Sequence, residues 1–279
     1  MRNVKLIKRA FEVDQHLVLR TPQVETATQK MIGILQTEAD PVVYLSGLSG
    51  SGVSAVLHET SQRLDCLNGI GCFKLARPEI DEGYLPPEYL LHHFGFRFGA
   101  QVRSPHYQKK LPKEVVALAS MLTPSILLVE DYQAGVANLA QLRTHMALWK
   151  QLAEPPISLR IVLAGPSDHI KGSWASHQPN ERNVHIDEWA FNEAFRRYLK
   201  DISLLSHEAL KLDVDLLHHA KYFFELSQGN TARLLVYIRE CAKNAILSSE
   251  IGISSRLFKL SFREIVHINA KLYSHFADR

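Results

Sequence analysis

The sequence predicts an α/β protein: a parallel sheet with helices on both faces, followed by an all-helical domain. Three observations predict it. Short apolar segments at 42–45, 126–129 and 161–164 alternate with helical patterns, and unbroken apolar runs of this length suit strands buried on both faces. A glycine-rich loop at 47–54 joins the first of them to a helix. From Asp187 onward the pattern is helical throughout, with no strand signal. Strand and helix in alternation argue for right-handed crossovers within one parallel sheet.

The 279 residues are enough for one large domain and a small one, and 46% hydrophobic with 22% charged residues matches an ordinary globular chain. A net charge of +3 is mild, so its distribution matters more than its size. Cys66, Cys72 and Cys241 form no C-x-x-C pair, which argues against a metal or redox motif and fits reduced thiols in the cytoplasm. No apolar run reaches membrane-spanning length and no signal peptide is read at the start, so no membrane partner is expected.

Residues 1–20 carry Arg2, Lys5, Lys8, Arg9 and Arg20 against Glu12 and Asp14, either as a functional basic arm, partly helical, or as a solvated terminus. Thr21-Pro22 opens a helix to about residue 35, since proline is tolerated in a first turn and Glu25 complements the helix dipole. Its apolar face is Val24, Ala27, Met31, Ile34 and Leu35. A strand into the glycine loop follows, then a helix at 53–64, a strand at 71–76 and a helix at 88–98. Pro112 starts a further helix to 122. The strand 125–131 comes next, then a helix at 136–152 broken by Pro155-Pro156, and the strand 157–165. In the C-terminal part Asp187 can cap a helix to 205, a second helix covers 214–226, and Gly229-Asn230 interrupt the pattern. A third helix, 231–248, places Leu234, Leu235, Ile238, Cys241, Ala242 and Ala245 at helical spacing, and Ser254 caps a last one to 276. The expected division is 1–36 as basic arm and helix, 37–186 as the α/β core, and 187–279 as the helical domain.

The chemistry concentrates at the glycine loop. Gly47 and Gly52 hold the glycine positions of a phosphate loop, G-x-x-x-x-G-K-[ST], and Ser54 holds its hydroxyl position. Gly47, Gly50, Ser51, Gly52 and Ser54 are therefore the candidate phosphate-binding residues. Inward-pointing backbone N–H groups and a helix N-terminus favour a phosphate, and Ser54 can ligate Mg²⁺. Val53 stands where the pattern has lysine. Without that ammonium the loop either holds a nucleotide through its backbone alone or is a plain strand-to-helix turn. The buried strand 125–131 ends in Glu130 and Asp131, and the carboxyl edge of an open α/β sheet is where ligands bind. Glu130, with Ser54, is the candidate metal ligand. A second basic feature lies at 97–113: Arg97, Arg103, Lys109, Lys110 and Lys113 with no acid, interleaved with Phe98, His106 and Tyr107. It reads equally as a nucleic-acid backbone contact and as a solvated loop.

A phosphate loop, an acid-terminated buried strand, a further strand at 157–165 and a helical lid follow the layout of AAA+ P-loop NTPases. Within them the chain resembles the TniB/TnsC regulators of DNA transposition, from the helix at Pro22 to about Ile251. The resemblance rests most on 127–165 and on the segment Ser227-Gln228-Gly229-Asn230-Thr231-Ala232-Arg233-Leu234. It implies ATP and Mg²⁺ between subunits, self-association into a ring or filament, non-specific double-stranded DNA, and a transposase or target-selector partner. Carried over by position, Glu130 and Asp131 match the catalytic acid pair, Arg233 the lid's sensor arginine, and Arg182 the arginine supplied to a neighbouring subunit. Arg103, Lys109 and Lys110 fall where DNA-facing loops are expected.

This sequence departs from the pattern at three points. Val53 replaces the lysine, the acids run Glu-Asp rather than Asp-Glu, and Pro166 follows Gly165 where a polar sensor belongs. Loss of the lysine alone is expected to remove about 3–5 kcal/mol of transition-state stabilisation, by analogy with other electrostatic donors. ATP and Mg²⁺ binding is thus expected to be weakened or lost, and whether the chain is an enzyme stays open. The leading reading is a DNA-transposition regulator with weak or absent hydrolysis. The alternatives are an active DNA-stimulated ATPase, with Lys74 or Arg233 replacing the loop lysine, and a protein–protein adaptor unrelated to DNA.

Overall fold

A computed structural model describes residues 2–16, 20–37, 42–68, 71–75, 86–95, 110–122, 125–133, 136, 138–167 and 183–277. The helices are α1 (Arg2–His16), α2 (Pro22–Gln36), α3 (Val53–Asn68), α4 (Pro86–His93), α5 (Lys113–Met121), α6 (Leu139–Ala153), α7 (Glu193–Leu205), α8 (Ala220–Ser227), α9 (Thr231–Leu247) and α10 (Phe262–Ala277). The strands are β1 (Val42–Gly47), β2 (Gly71–Leu75), β3 (Ser125–Glu130), β4 (Arg160–Pro166) and β5 (Asn183–Ile186). They divide into two compact units, an α/β unit of α2–α6 with β1–β5 and a helical unit of α1 with α7–α10.

In the α/β unit the five strands lie in the order β2-β3-β4-β1-β5, every neighbouring pair parallel. The two faces bury different residues of the same strands, as the pleat requires. Val42, Tyr44, Leu127, Val129, Ile161 and Leu163 pack into a cluster with α4, α5 and α6 residues such as Leu90, Val115 and Trp149. Val43, Leu45, Ile126, Leu128, Val162 and Ala164 pack on the other side with Val24, Met31, Val56 and Leu57 of α2 and α3. Each such side chain contributes about 1.5–3 kcal/mol by leaving water, which is why the central strands are apolar without interruption.

Polar ties hold α2 to its neighbours. Arg63 of α3 donates to both Glu25 carboxylate oxygens at 2.9 and 2.5 Å. Arg160 donates to the Leu35 carbonyl at 2.6 Å, near the C-terminus of α2. Lys30 donates to the Asn183 carbonyl at 3.0 Å.

The strand β5 lies in the stretch between β4 and Asp187 to which the sequence pattern gave no element. It has four residues, and its Val184 and Ile186 are buried while Asn183 and His185 are not. So short an alternation carries almost no periodic signal.

The helical unit has its own core. Ala10 and Val13 of α1, Phe195, Tyr198, Leu199 and Ile202 of α7, Phe223 of α8, and Leu234, Tyr237, Ile238, Cys241 and Ala245 of α9 form one cluster. On the border of this packing Lys243 donates to Asp14 at 2.9 Å and Glu240 at 2.8 Å, and Arg9 donates to the Leu210 carbonyl at 2.7 Å. The basic N-terminal segment is thus a helix that buries its apolar stripe.

Three expected boundaries shift here. Asp187 does not cap α7: Asn192 does, accepting from the Phe195 N–H at 3.1 Å. The chain stays out of helix before Asn192 because Trp189 stacks on Tyr198 and donates to the Thr231 hydroxyl at 3.0 Å. The second helix begins at Ala220 rather than 214, since Asp213 pairs with Gly252 in an isolated bridge. Ser254 gives way to Ser261 as the start of α10, where Ser261 and Glu264 exchange hydrogen bonds in a capping box. Leu257 and Phe258 enter the core through a separate 3₁₀ turn, whose carbonyls at Leu257 and Leu260 accept from the Tyr237 hydroxyl at 2.9 Å each.

Candidate phosphate-binding site

Parallel strands bring their carboxyl ends to one edge of the sheet. Gly47 stands in register with Pro166 and Ile186, and Glu130 with Ala164. The glycine loop leaves β1 at this edge and enters α3 at Val53. Within it the Ser51 N–H donates to the Leu48 carbonyl at 2.9 Å, and the first α3 bond runs from Val56 to Gly52 at 3.0 Å. The first-turn N–H groups ahead of Val56 therefore have no intrahelical acceptor.

Gly50 has φ +84° and Gly52 φ +112°. A Cβ on Gly52 would stand 2.7 Å from Val24 Cγ2 of α2, so the loop passes directly under that helix. Gly47 is equally confined, since a Cβ there would strike the Ser51 hydroxyl and lie 3.2 Å from Ile186. Ser51 is 5% exposed, and its Oγ has no hydrogen-bond partner among the described residues. A loop with this backbone, a helix N-terminus at its end and an unpaired buried hydroxyl suits a phosphate. Val53 is partly buried against the α2–α3 side of the core and offers no charge.

Ser54 is exposed on the first turn of α3, and its hydroxyl stands close enough to the Glu130 side chain at the end of β3 to favour the carboxylate form. Loop hydroxyl and strand carboxylate, far apart in sequence, thus meet. Lys74 of β2 joins them, its Nζ 3.1 Å from Glu130 Oε2. Burial pushes the Glu130 carboxyl upward, but the hydrogen bonds from Ser54 and Lys74 and the Lys74 charge outweigh it, so the net shift is downward. Glu130 is held as a carboxylate.

Asp131 follows in a turn with φ +50°, partly exposed. Beyond it Tyr132 and Gln133 are buried beside Gly165. The Gln133 amide donates to the Tyr132 hydroxyl at 2.8 Å, and its Oε1 has no partner among the described residues. Pro166 ends β4, and the Ser167 N–H donates to the Gly47 carbonyl at 2.9 Å.

Arg233 belongs to the helical unit, exposed on the first turn of α9. Its Nη1 donates to Gln228 Oε1 at 2.9 Å and its N–H to the capping Asn230 at 3.0 Å. Lys110 is exposed just ahead of α5. Arg103, Lys109 and Arg182 lie outside the described residues. Among the described residues no cluster of His, Cys, Asp and Glu can hold a metal ion by itself, and no helix is long and apolar enough to cross a membrane.

Sequence reasoning had Lys74 in view only as a stand-in for the loop lysine. Its pairing with Glu130 follows from register: Lys74 aligns with Leu128, two residues before Glu130 and on the same face of the pleat. Gln133 carried no signal at all.

No protein-family model matches the chain, and no curated protein matches it in sequence. Solved structures do. The Orc1 protein of Aeropyrum pernix in complex with DNA superposes with a TM-score of 0.62 at 15% identity, over 89% of this chain and 67% of that one. Cdc6p of Pyrobaculum aerophilum gives 0.61 at 14%, over 89% and 69%. Drosophila ORC bound to DNA gives 0.58 at 12%, over 92% of this chain and 66% of that one, so the chain spans about two thirds of its length. At such identities the likeness is one of fold. The chain has the α/β AAA+ fold, a five-stranded parallel sheet with helices on both faces and a helical C-terminal portion.

Proposed function

We propose that the chain is a regulator of DNA transposition of the TniB/TnsC kind. It binds a nucleotide at the glycine loop and hydrolyses it weakly or not at all. It self-associates into a ring or filament on double-stranded DNA and recruits a transposase or target-selector protein. The observation that carries the reading is the pairing of a formed loop, with Gly50 and Gly52 at positive φ and Ser54 on Glu130, with an uncharged Val53 at its helical end. The backbone that grips a phosphate is kept, and the side chain that drives its transfer is gone.

Two considerations support the DNA part. Two similar folds, Orc1 of Aeropyrum pernix and Drosophila ORC, were solved with DNA. The stretch 97–113, with its five basic residues and no acid, supplies the charge a phosphate backbone attracts. On this reading Arg103, Lys109 and Lys110 face DNA, while Arg233 and Arg182 approach the nucleotide within the assembly.

The test is equilibrium binding of a fluorescent ATP analogue with Mg²⁺, with and without double-stranded DNA, followed by phosphate release from the same sample. Binding without release is expected, with DNA affinity falling steeply as salt rises because phosphate contacts release counterions. Steady release that disappears in Asp131→Ala refutes the non-hydrolysing reading. A flat salt response removes the DNA contact from 97–113.

A further inference from the structure

The loop and its surroundings suit a phosphate, and the carboxylate beside them already has a cationic partner. A divalent ion beside Ser54 needs a carboxylate with a free face. Glu130 is already engaged in this arrangement: its Oε2 lies 3.1 Å from the Lys74 ammonium, and the Ser54 hydroxyl stands beside the same carboxylate. Lys74 comes from the neighbouring strand on the same face of the sheet, and the pair is partly buried, with Lys74 35% and Glu130 20% exposed.

Mg²⁺ keeps a strict octahedral oxygen shell and gives up water reluctantly. An ammonium is a compact point charge with three donors and no such geometric demand. The two cations repel and compete for the same carboxylate. The absence of lysine at position 53 therefore has a counterpart. The site has lost a positive charge on the first turn of α3 and carries one on β2, bound to the acid that would hold the metal.

We propose that the Lys74 ammonium takes the place of the divalent ion at Glu130, so that the loop holds a nucleotide polyphosphate without metal. This rests on the nucleotide-binding reading above. It goes further by naming which cation the bound phosphate meets.

The experiment measures affinity for a fluorescent ADP analogue in EDTA and in millimolar Mg²⁺, for the wild-type chain, Lys74→Ala and Lys74→Arg. It also measures Mn²⁺ binding to the nucleotide-free protein by electron paramagnetic resonance. Wild-type and Lys74→Arg are expected to bind the analogue within about twofold in the two media and to leave Mn²⁺ free. Lys74→Ala is expected to lose at least about tenfold in EDTA, to recover on adding Mg²⁺ and to bind Mn²⁺ at the freed carboxylate.

Wild-type binding that appears only with Mg²⁺ overturns the proposal and leaves the nucleotide reading standing. So does Mn²⁺ bound by the wild-type chain and released in Glu130→Gln, or Lys74→Ala behaving as wild type or failing to recover with Mg²⁺. No binding of the analogue in either medium overturns both.

Discussion

Replacing Gly52 by alanine tests the loop geometry at its tightest point. Two costs can be worked from the structure. The residue sits at φ +112°, a region that side-chain-bearing residues avoid, at about 1–3 kcal/mol. The new Cβ would stand 2.7 Å from Val24 Cγ2, an overlap of the kind that costs about 1–3 kcal/mol. Val24 is only 4% exposed, and Glu25 beside it is bound to Arg63, so α2 cannot simply step aside. The expected loss is about 2–6 kcal/mol, or roughly 5–20 °C in unfolding midpoint for a unit of this size. Thermal unfolding of Gly52→Ala, Val24→Ala and the double variant separates the two costs. In the double variant the overlap is relieved and the backbone cost remains, so the two changes should couple favourably by about 1 kcal/mol or more. A Gly52→Ala stability within about 0.5 kcal/mol of wild type, or strict additivity in the cycle, refutes the reasoning.

Val53→Lys should restore a charge at the loop, its stem replacing valine against the core, and raise affinity for ATP at least about tenfold by calorimetry. Tyr237→Phe should cost about 1–2 kcal/mol in urea unfolding, because the carbonyls of Leu257 and Leu260 lose a shared donor. Glu130 has a folded pKa below the ordinary 4.5, so its share of stability is present above that value and is lost as pH falls through the lower, folded one. Glu130→Gln should accordingly flatten the acid limb of the unfolding-midpoint profile below about pH 4.5, and an unchanged limb would remove the Ser54–Glu130–Lys74 cluster as its cause.

Most of the sheet was legible because its strands are wholly apolar and bounded by turn residues. Those at 42, 125 and 160 sit close to their expected places. The loop was legible because its glycines answer a backbone requirement that sequence displays directly. What stayed hidden depends on tertiary neighbours. β5 exists because Tyr44 to Gly47 offer it a free edge, not because its four residues insist on a strand. The start of α7 is decided by where Trp189 docks, and two acids six residues apart, Asp187 and Glu193, cannot announce that. The contact between Lys74 and Glu130 required the β2–β3 register, which no single strand encodes.

The helix α1 and the helix α9 against which it packs are separated by about 200 residues of chain, including the whole sheet. At synthesis rates of about 5–20 residues per second, α1 leaves the ribosome some tens of seconds at the slow end before its partner exists. During that interval Ala10 and Val13, both fully shielded in the finished protein, have no native surface to cover them. The α/β unit, uninterrupted in sequence, can meanwhile close on its own. The helix α1 is therefore made well before the surface that buries it, and docks only after the sheet between them in sequence has been synthesised.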